Sequence, residues 1–240
     1  MENSRPESTY ISLGTNAYKL SEEKIRYLLS IGVDKLNISL DSGIPEEHDK
    51  FRRRKGAFEK AMSAIENCRK VGMDFSINIV VHKDYTKAEG FLRLVDYAVR
   101  TRSKLILIAA VPYGEWESKH DVLITKDDDR TMRALTKKFP FIRRNCVSKR
   151  GCPAFDDLLA ITSYGDVLPC DFIHASFGNL KNERLESIVQ RAHKVKCFDG
   201  SYNGCFPAEN KEFIENALPV IEKADPYPIS AKVVFQELRS

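Results

Sequence analysis

Between residues 10 and 111 strand-like and helix-like segments alternate without interruption, and this alternation restricts the fold more than any other property of the sequence. Tyr10-Ile11-Ser12-Leu13 has β character. Ser21 is placed to cap a helix whose Ile25, Leu28 and Leu29 share a face and whose end Gly32 can supply. Asp34-Lys35-Leu36-Asn37-Ile38-Ser39-Leu40 alternates as a strand does. Phe58, Ala61, Met62, Ile65 and Cys68 then recur at helical spacing up to Gly72, and residues 75–81 form a third strand. Phe91, Leu94, Val95 and Ala98 mark a third helix before a fourth strand at 105–111. Four strands joined through three helices imply parallel pairing with right-handed crossovers, as an open sheet or a segment of a barrel.

The pattern changes after Trp116. Residues 127–139 read as a helix, a basic segment follows at 143–152, and residues 158–162 and 164–168 read as two strands around a turn at Gly165. Helices are expected at about 185–196 and 208–224, before Pro226 and Pro228. These readings give an α/β domain over residues 1–140 and a small α+β domain with a β-hairpin over 141–240, within a length that suits one large domain or two modest ones.

Composition narrows the function classes. Lys and Arg number 38 against 34 Asp and Glu, and the net +4 does not argue for an obligatory nucleic-acid partner. The longest apolar run, Leu105-Ile106-Leu107-Ile108-Ala109-Ala110-Val111, is far short of the roughly 18 residues of a membrane span. The first residues show neither a signal-peptide core nor a transit-peptide pattern, which places the chain in the cytoplasm. In a reducing compartment six cysteines point to metal ligation, a reactive thiol or core packing before disulfides. Cys68 falls on the apolar stripe of a helix and belongs to the core. Cys152 and Cys170 flank the hairpin, which brings both thiols to one end, as a metal or iron–sulfur cluster requires.

Several runs together resemble a known family. Thr15-Asn16-Ala17, Leu20, Ile31-Gly32-Val33-Asp34, Ile38-Ser39-Leu40-Asp41, His48-Asp49-Lys50-Phe51-Arg52, Phe58-Glu59-Lys60-Ala61 and Ile77-Asn78-Ile79-Val80-Val81 are similar, in order, to the later half of a radical SAM enzyme core. Cys152, Gly165 and Cys170 with Phe177-Gly178-Asn179 resemble its SPASM or twitch extension. The resemblance implies a partial (β/α) barrel made of the later strands, followed by a small auxiliary-cluster domain. It implies S-adenosylmethionine contacts at Asn16, Ser39, Asp41, Arg52 and Asn78, with the Arg52 guanidinium suited to a carboxylate. The position of Ser39 and Asp41 at a strand end agrees, because ligands of parallel sheets bind beyond strand C-termini. The step Val111-Pro112-Tyr113-Gly114 resembles the loop that receives adenine.

The same resemblance implies an auxiliary [4Fe–4S] cluster on Cys152, Cys170 and Cys205, with the fourth ligand open between Cys146 and Cys197; the loop from Cys146 to Cys152 is short to close. One departure stands out: the three-cysteine motif that binds the cluster cleaving S-adenosylmethionine occurs nowhere in the sequence. The chain is thus expected to be the C-terminal part of a radical SAM enzyme. When intact, such an enzyme does 5′-deoxyadenosyl-radical chemistry on a peptide or small molecule. A longer form or a separate N-terminal chain would carry the motif. Whether the chain is itself an enzyme stays open. The alternatives are a noncatalytic iron–sulfur or substrate-binding module and a structural zinc site.

Overall fold

The computed structural model of the chain describes residues 9–145, 151–198, 202, 204–225 and 227–236. They fall into two compact units, Met1–Ile108 with Thr125–Asn145 and Ala109–Ile124 with Cys146–Ser240. The first unit begins with β1 (Ser12–Thr15), α1 (Glu22–Ser30), β2 (Lys35–Ser39), α2 (Pro45–Phe51), α3 (Ala57–Val71) and β3 (Asp74–Val81). It continues with α4 (Glu89–Thr101), β4 (Lys104–Ala109), α5 (Lys126–Lys138) and β5 (Ile142–Arg144). Ser21 caps α1 by accepting from the Lys24 N–H, and α3 stops at Gly72, whose φ of 79° is the left-handed conformation that ends helices.

The strands form one sheet in the order β1-β2-β3-β4-β5, with β1–β2, β2–β3 and β4–β5 parallel. Asp74 and Lys104, the first residues of β3 and β4, are ion-paired at 2.7 Å, so these strands also start at the same end. Sequential strand order with right-handed crossovers puts every connecting helix on the same side, the winding of a barrel segment. Leu36, Ile38, Ile77, Ile79, Leu105 and Leu107 fill the buried side with Ile65, Phe91 and Leu94 from the helices. The fifth strand was not foreseen. It explains why the first unit runs to Asn145 instead of ending at 140: Ile142 and Arg143 pair with Leu105 and Ile106, and the sheet is incomplete without them.

The second unit includes Ala109–Ile124, whose Ala109 and Val111 bury against Cys205 and Ala208. Its hairpin pairs β6 (Ala160–Ile161) with β7 (Asp166–Leu168), around Gly165 at φ 93°. Next come β8 (Ala175–Ser176), β9 (Gly178–Asn179), α6 (Leu185–Ala192) and α7 (Phe206–Glu209). A π-helical turn (Phe213–Ala217) leads into α8 (Leu218–Glu222), β10 (Ile229–Ser230) and α9 (Ala231–Val234). The continuous helix expected at 208–224 is therefore broken into three pieces. Asn210 starts a new segment by accepting from the Phe213 N–H, and Pro219 removes a donor from the ladder behind it. Phe155, held at φ 61° by the tight loop on the Pro153 carbonyl, packs edge-on against Phe177 and Phe198. These contacts offset a backbone strain of about 1–3 kcal/mol. Among the described residues no helix is long and apolar enough to cross a membrane.

In the first unit α5 is tied to the segment after β3 by one buried carboxylate. Asp128 accepts from the Thr125 N–H and hydroxyl, the Thr86 N–H and hydroxyl, and the Asp84 N–H. Burial raises its pKa, but the two hydroxyls and the backbone donors outweigh burial and bring the carboxyl down to about 2. A folded pKa below the unfolded one contributes stability above pH 4 that is lost as pH falls toward 2, roughly 2 kcal/mol in all. Asp128→Asn, which turns amide hydrogens toward these donors, is expected to lose about that much in urea unfolding at pH 7. It should also flatten the wild-type fall in stability between pH 4 and 2; an unchanged pH profile would contradict the assignment.

Candidate functional site

The alternation of β2 and β3 sends their apolar residues to the helices and leaves polar ones on the opposite face. On that face Asn37 lies opposite Ser76 and Ser39 opposite Asn78. The buried Ser76 hydroxyl sits 2.8 Å from Asn37 Oδ1 and 3.0 Å from Asn78 Oδ1, which fixes both amides. The N-terminal end of the face is closed by charge: Asp74 accepts from Lys104 and from the Tyr10 hydroxyl. Ser39 and Asn78, half-buried, are left at the C-terminal end, where a ligand of a parallel sheet binds.

Beyond β2 the chain is organised by Asp41, which is buried. Its Oδ2 accepts from Arg52 Nε at 2.6 Å and its Oδ1 from the Val80 N–H at 3.3 Å. Its own N–H donates to His48 Nδ1 at 3.0 Å, and its carbonyl accepts from the Tyr85 hydroxyl at 2.5 Å. His48 is therefore an interior residue whose Nδ1 serves as an acceptor. Asp49 caps α3, accepting from the Gly56 and Phe58 N–H groups, which lower its pKa. Burial, with the Glu47 and Asp41 carboxylates nearby, pushes the Tyr85 hydroxyl up to about 12 against the lowering bond to Ser42, so it stays protonated as a donor.

Gly43 seats this loop on α4. Its N–H donates to the Gly90 carbonyl, and a Cβ there would lie 2.8 Å from the Leu94 nitrogen. Asn16 lies just past β1 and is exposed, its Oδ1 accepting from the Tyr18 N–H. It lines a cavity of about 230 Å³ with Thr15, Tyr18 and Arg54, whose guanidinium lies 3.6 Å from the Tyr18 ring centre. Of the five S-adenosylmethionine positions implied by the sequence, Ser39 and Asn78 thus share one face, Asp41 and Arg52 engage each other, and Asn16 stands at the end of β1. Asn37, Ser76 and Tyr85 were missed. The first two were legible from strand alternation, whereas Tyr85 meets Asp41 only through the fold.

In the second unit Cys152 and Cys170 belong to one apolar cluster and Cys205 to another, and Tyr113 and Phe172 pack against both. Cys152 donates its N–H to the Tyr202 carbonyl, and Cys205 donates its own to Glu209. Burial and the nearby Glu209 carboxylate, with the Cys205 and Cys152 thiols, push the Tyr202 hydroxyl up to about 12. Burial, Glu222 and the Cys170 thiol raise that of Tyr113. Cys197 is half-buried against the first cluster, and Cys146 lies outside the described residues. None of the five described cysteines is in a disulfide. Among the described residues no three His, Cys, Asp or Glu side chains gather tightly enough to hold a single ion. The donors suit an iron–sulfur cluster in kind: Cys152, Cys170 and Cys205 are buried thiols, and Tyr113 and Phe172 pack against the clusters that contain them.

Comparison with known proteins gives the class. The model of the radical SAM superfamily matches residues 2–97, and that of the SPASM iron–sulfur cluster-binding domain matches residues 152–212. The chain belongs to the radical SAM superfamily and carries a SPASM domain. It is 38% identical over 228 residues to an AdoMet-dependent heme synthase of Oleidesulfovibrio alaskensis, covering 80% of this chain and 55% of that protein. With the PqqA peptide cyclase of Rhizobium meliloti it shares 23% identity over 211 residues, covering 80% and 56%. The crystal structure of Streptococcus suis SuiB bound to precursor peptide SuiA has the same fold, at a TM-score of 0.56 and 14% identity, over 93% of this chain and 58% of that one. The chain thus spans a little over half the length of these relatives.

Because Asp41 holds β2, β3, α2 and Tyr85 together, Asp41→Ala is expected to destabilise the protein by about 3 kcal/mol in urea unfolding, leaving Arg52 and the Val80 N–H without their acceptor. A loss below about 1 kcal/mol would contradict this role.

Proposed function

We propose that the first unit supplies part of an S-adenosylmethionine site and that the second holds an auxiliary [4Fe–4S] cluster, within a longer polypeptide or an assembly that does radical chemistry. The polar face at the C-terminal ends of β2 and β3 carries this reading. Ser39 and Asn78 are cross-strand partners there, and the Ser76 hydroxyl holds the Asn78 amide from below. Their hydroxyl and amide can bind the hydroxyls and amino group of a nucleoside-bearing ligand, while Arg52, anchored on Asp41 by Nε, keeps its terminal nitrogens for a carboxylate. Asn16 bounds the same end of the sheet beyond β1. In the second unit Cys152, Cys170 and Cys205 would hold the auxiliary cluster, with Cys146 or Cys197 as fourth thiolate. Such a cluster supplies electron transfer or a substrate-binding iron, and S-adenosylmethionine supplies the radical in the family. The residues here position those groups and exclude water. The substrate would be a peptide or a small molecule, classes named among the relatives.

The sequence contains no Cys-x3-Cys-x2-Cys motif, so the ligands of the cleaving cluster would come from outside these 240 residues, in a longer form or a separate chain. The 240-residue chain, purified and reconstituted anaerobically, is expected to release no 5′-deoxyadenosine from S-adenosylmethionine under reducing conditions; formation of that product would overturn this part of the reading. It should still bind the ligand. Ser39→Ala and Asn78→Ala are each expected to raise the Kd by about 5- to 10-fold in calorimetry, as one lost hydrogen bond does. Equal affinities would rule out the polar face.

Iron and acid-labile sulfide analysis separates the cluster from structural zinc. About four of each per chain are expected, with marked loss in Cys152→Ala, Cys170→Ala and Cys205→Ala. Zinc without sulfide would eliminate the cluster.

A further inference from the structure

The segment that leaves β1 is wound tightly on itself. Thr15 Oγ1 accepts from the Ala17 N–H at 3.0 Å, and Asn16 Oδ1 accepts from the Tyr18 N–H at 3.2 Å. Ala17, buried at φ 59°, turns the chain, and the Lys19 carbonyl is tied down by Lys24 Nζ at 3.0 Å. The oxygens of Thr15 and Asn16 are thus turned to the backbone, and what these side chains offer a guest is a hydroxyl hydrogen and amide hydrogens.

Two cations line the same cavity of about 230 Å³. Arg54, whose N–H is anchored on the Asp49 carbonyl, lays its guanidinium over the Tyr18 ring, 3.6 Å from the ring centre. Stacking holds this long side chain in one place and leaves its five N–H groups, which lie in its own plane, for an acceptor. Lys19 is the second cation. Among the described residues neither has a carboxylate partner, and no Asp or Glu lines the cavity. Elsewhere in the unit Arg26, Arg93, Arg100 and Arg133 each pair with a carboxylate four residues away.

Two positive charges with a hydroxyl and an amide donor, and no negative charge among them, select an anion that carries several oxygens. The C-terminal end of β1 is the end at which ligands of a parallel sheet bind. The cavity is smaller than the roughly 300 Å³ of a pocket that encloses a whole small molecule, so it suits one group of a larger ligand. Arg52, read above as the partner of the cofactor carboxylate, is held by Asp41 and does not line it.

We propose that this cavity is a second subsite, which takes a carboxylate or phosphate group of the substrate on Arg54 and Lys19, with the Thr15 hydroxyl and the Asn16 amide donating to the same oxygens. The substrate is then an anionic peptide or small molecule. The inference rests on the reading above only in calling the ligand a substrate.

Titration of the full reconstituted chain with inorganic phosphate and, separately, with succinate at constant ionic strength tests this, followed by nuclear magnetic resonance of the backbone amides of residues 15–20. Saturable shifts are expected with at least one of the two, and the tighter ligand tells phosphate from carboxylate. Arg54→Gln should raise its Kd by about 10-fold and Lys19→Gln by about 3- to 5-fold, as lost charge-assisted bonds do. Tyr18→Leu, which leaves the charge unchanged, should also weaken binding by removing the support under Arg54. Lys55→Gln, an equal loss of charge on the residue next to Arg54 but outside the cavity lining, should leave the Kd unchanged. Absence of saturable shifts with both ligands, or equal weakening by Lys55→Gln and Arg54→Gln, would overturn the subsite. S-adenosylmethionine is expected to bind Arg54→Gln as it binds the wild type; a Kd raised about 10-fold there would seat the cofactor carboxylate in this cavity and overturn its assignment to a substrate. Phosphate or succinate binding by a wild-type chain that does not bind S-adenosylmethionine would overturn the cofactor reading and leave the anion subsite standing.

Discussion

One buried carboxylate sets the geometry of the first unit's open face. Asp41 has no water to solvate it, and an unpaired charge in that position would cost several kcal/mol. Both of its oxygens are bonded, to Arg52 and to the Val80 N–H, and its own backbone is bonded on both sides, to His48 and to Tyr85. The bonds come from the end of β2, from α2 and the residue after it, from β3 and from the turn before α4. Displacing any one of these would leave a charged or polar group unsatisfied at the same point, so the four move together. Ser39 lies two residues upstream of this node and inherits its rigidity. Gly43, two residues downstream, carries the constraint onto α4, because no side chain fits between it and Leu94.

The sheet divides its labour by face. Strand order that follows chain order leaves the helices on one side only, so residues on the other side are free of the demand for apolar packing. That freedom is used in layers: an ion pair between Asp74 and Lys104 at the strand starts, the Asn37–Ser76–Asn78 bonds in the middle, and Ser39 at the end. A charged floor and a satisfied middle layer mean that the remaining hydrogen-bonding capacity lies at the strand ends.

Periodicity is a local property, and the features it governs were legible in the sequence. Helices α1, α3 and α4 and strands β2 and β3 repeat at 3.6 or 2 residues and are bounded by Ser21, Gly32 and Gly72, so their extent could be read within a few residues. The hairpin around Gly165 was legible for the same reason. The three-residue β5 was not, because it has too few residues to show a period and exists only through its pairing with β4. The interrupted helix after residue 206 carried its own warning in Pro219, which helical spacing of apolar residues concealed. At the site, residue types at strand ends announced Ser39 and Asn78, but Arg52 read alone is one of four consecutive basic residues. Its engagement by Asp41, eleven positions away in sequence, comes from the fold.

The cysteines show the same limit more sharply. Burial alone does not distinguish a ligand from a packing residue: Cys68 is as buried as any, and its thiol is pushed up to about 11 by burial, which makes it a poor thiolate. Its neighbours on α3 are Ala61, Ala64 and Ile65, apolar side chains that ask nothing of the sulfur. Cys170 is buried to a similar degree, yet Tyr113 packs against its cluster and carries a hydroxyl whose pKa the Cys170 thiol helps to raise. What separates the two cysteines is therefore the company each keeps, apolar side chains for Cys68 and a tyrosine hydroxyl for Cys170, which neither spacing nor burial records.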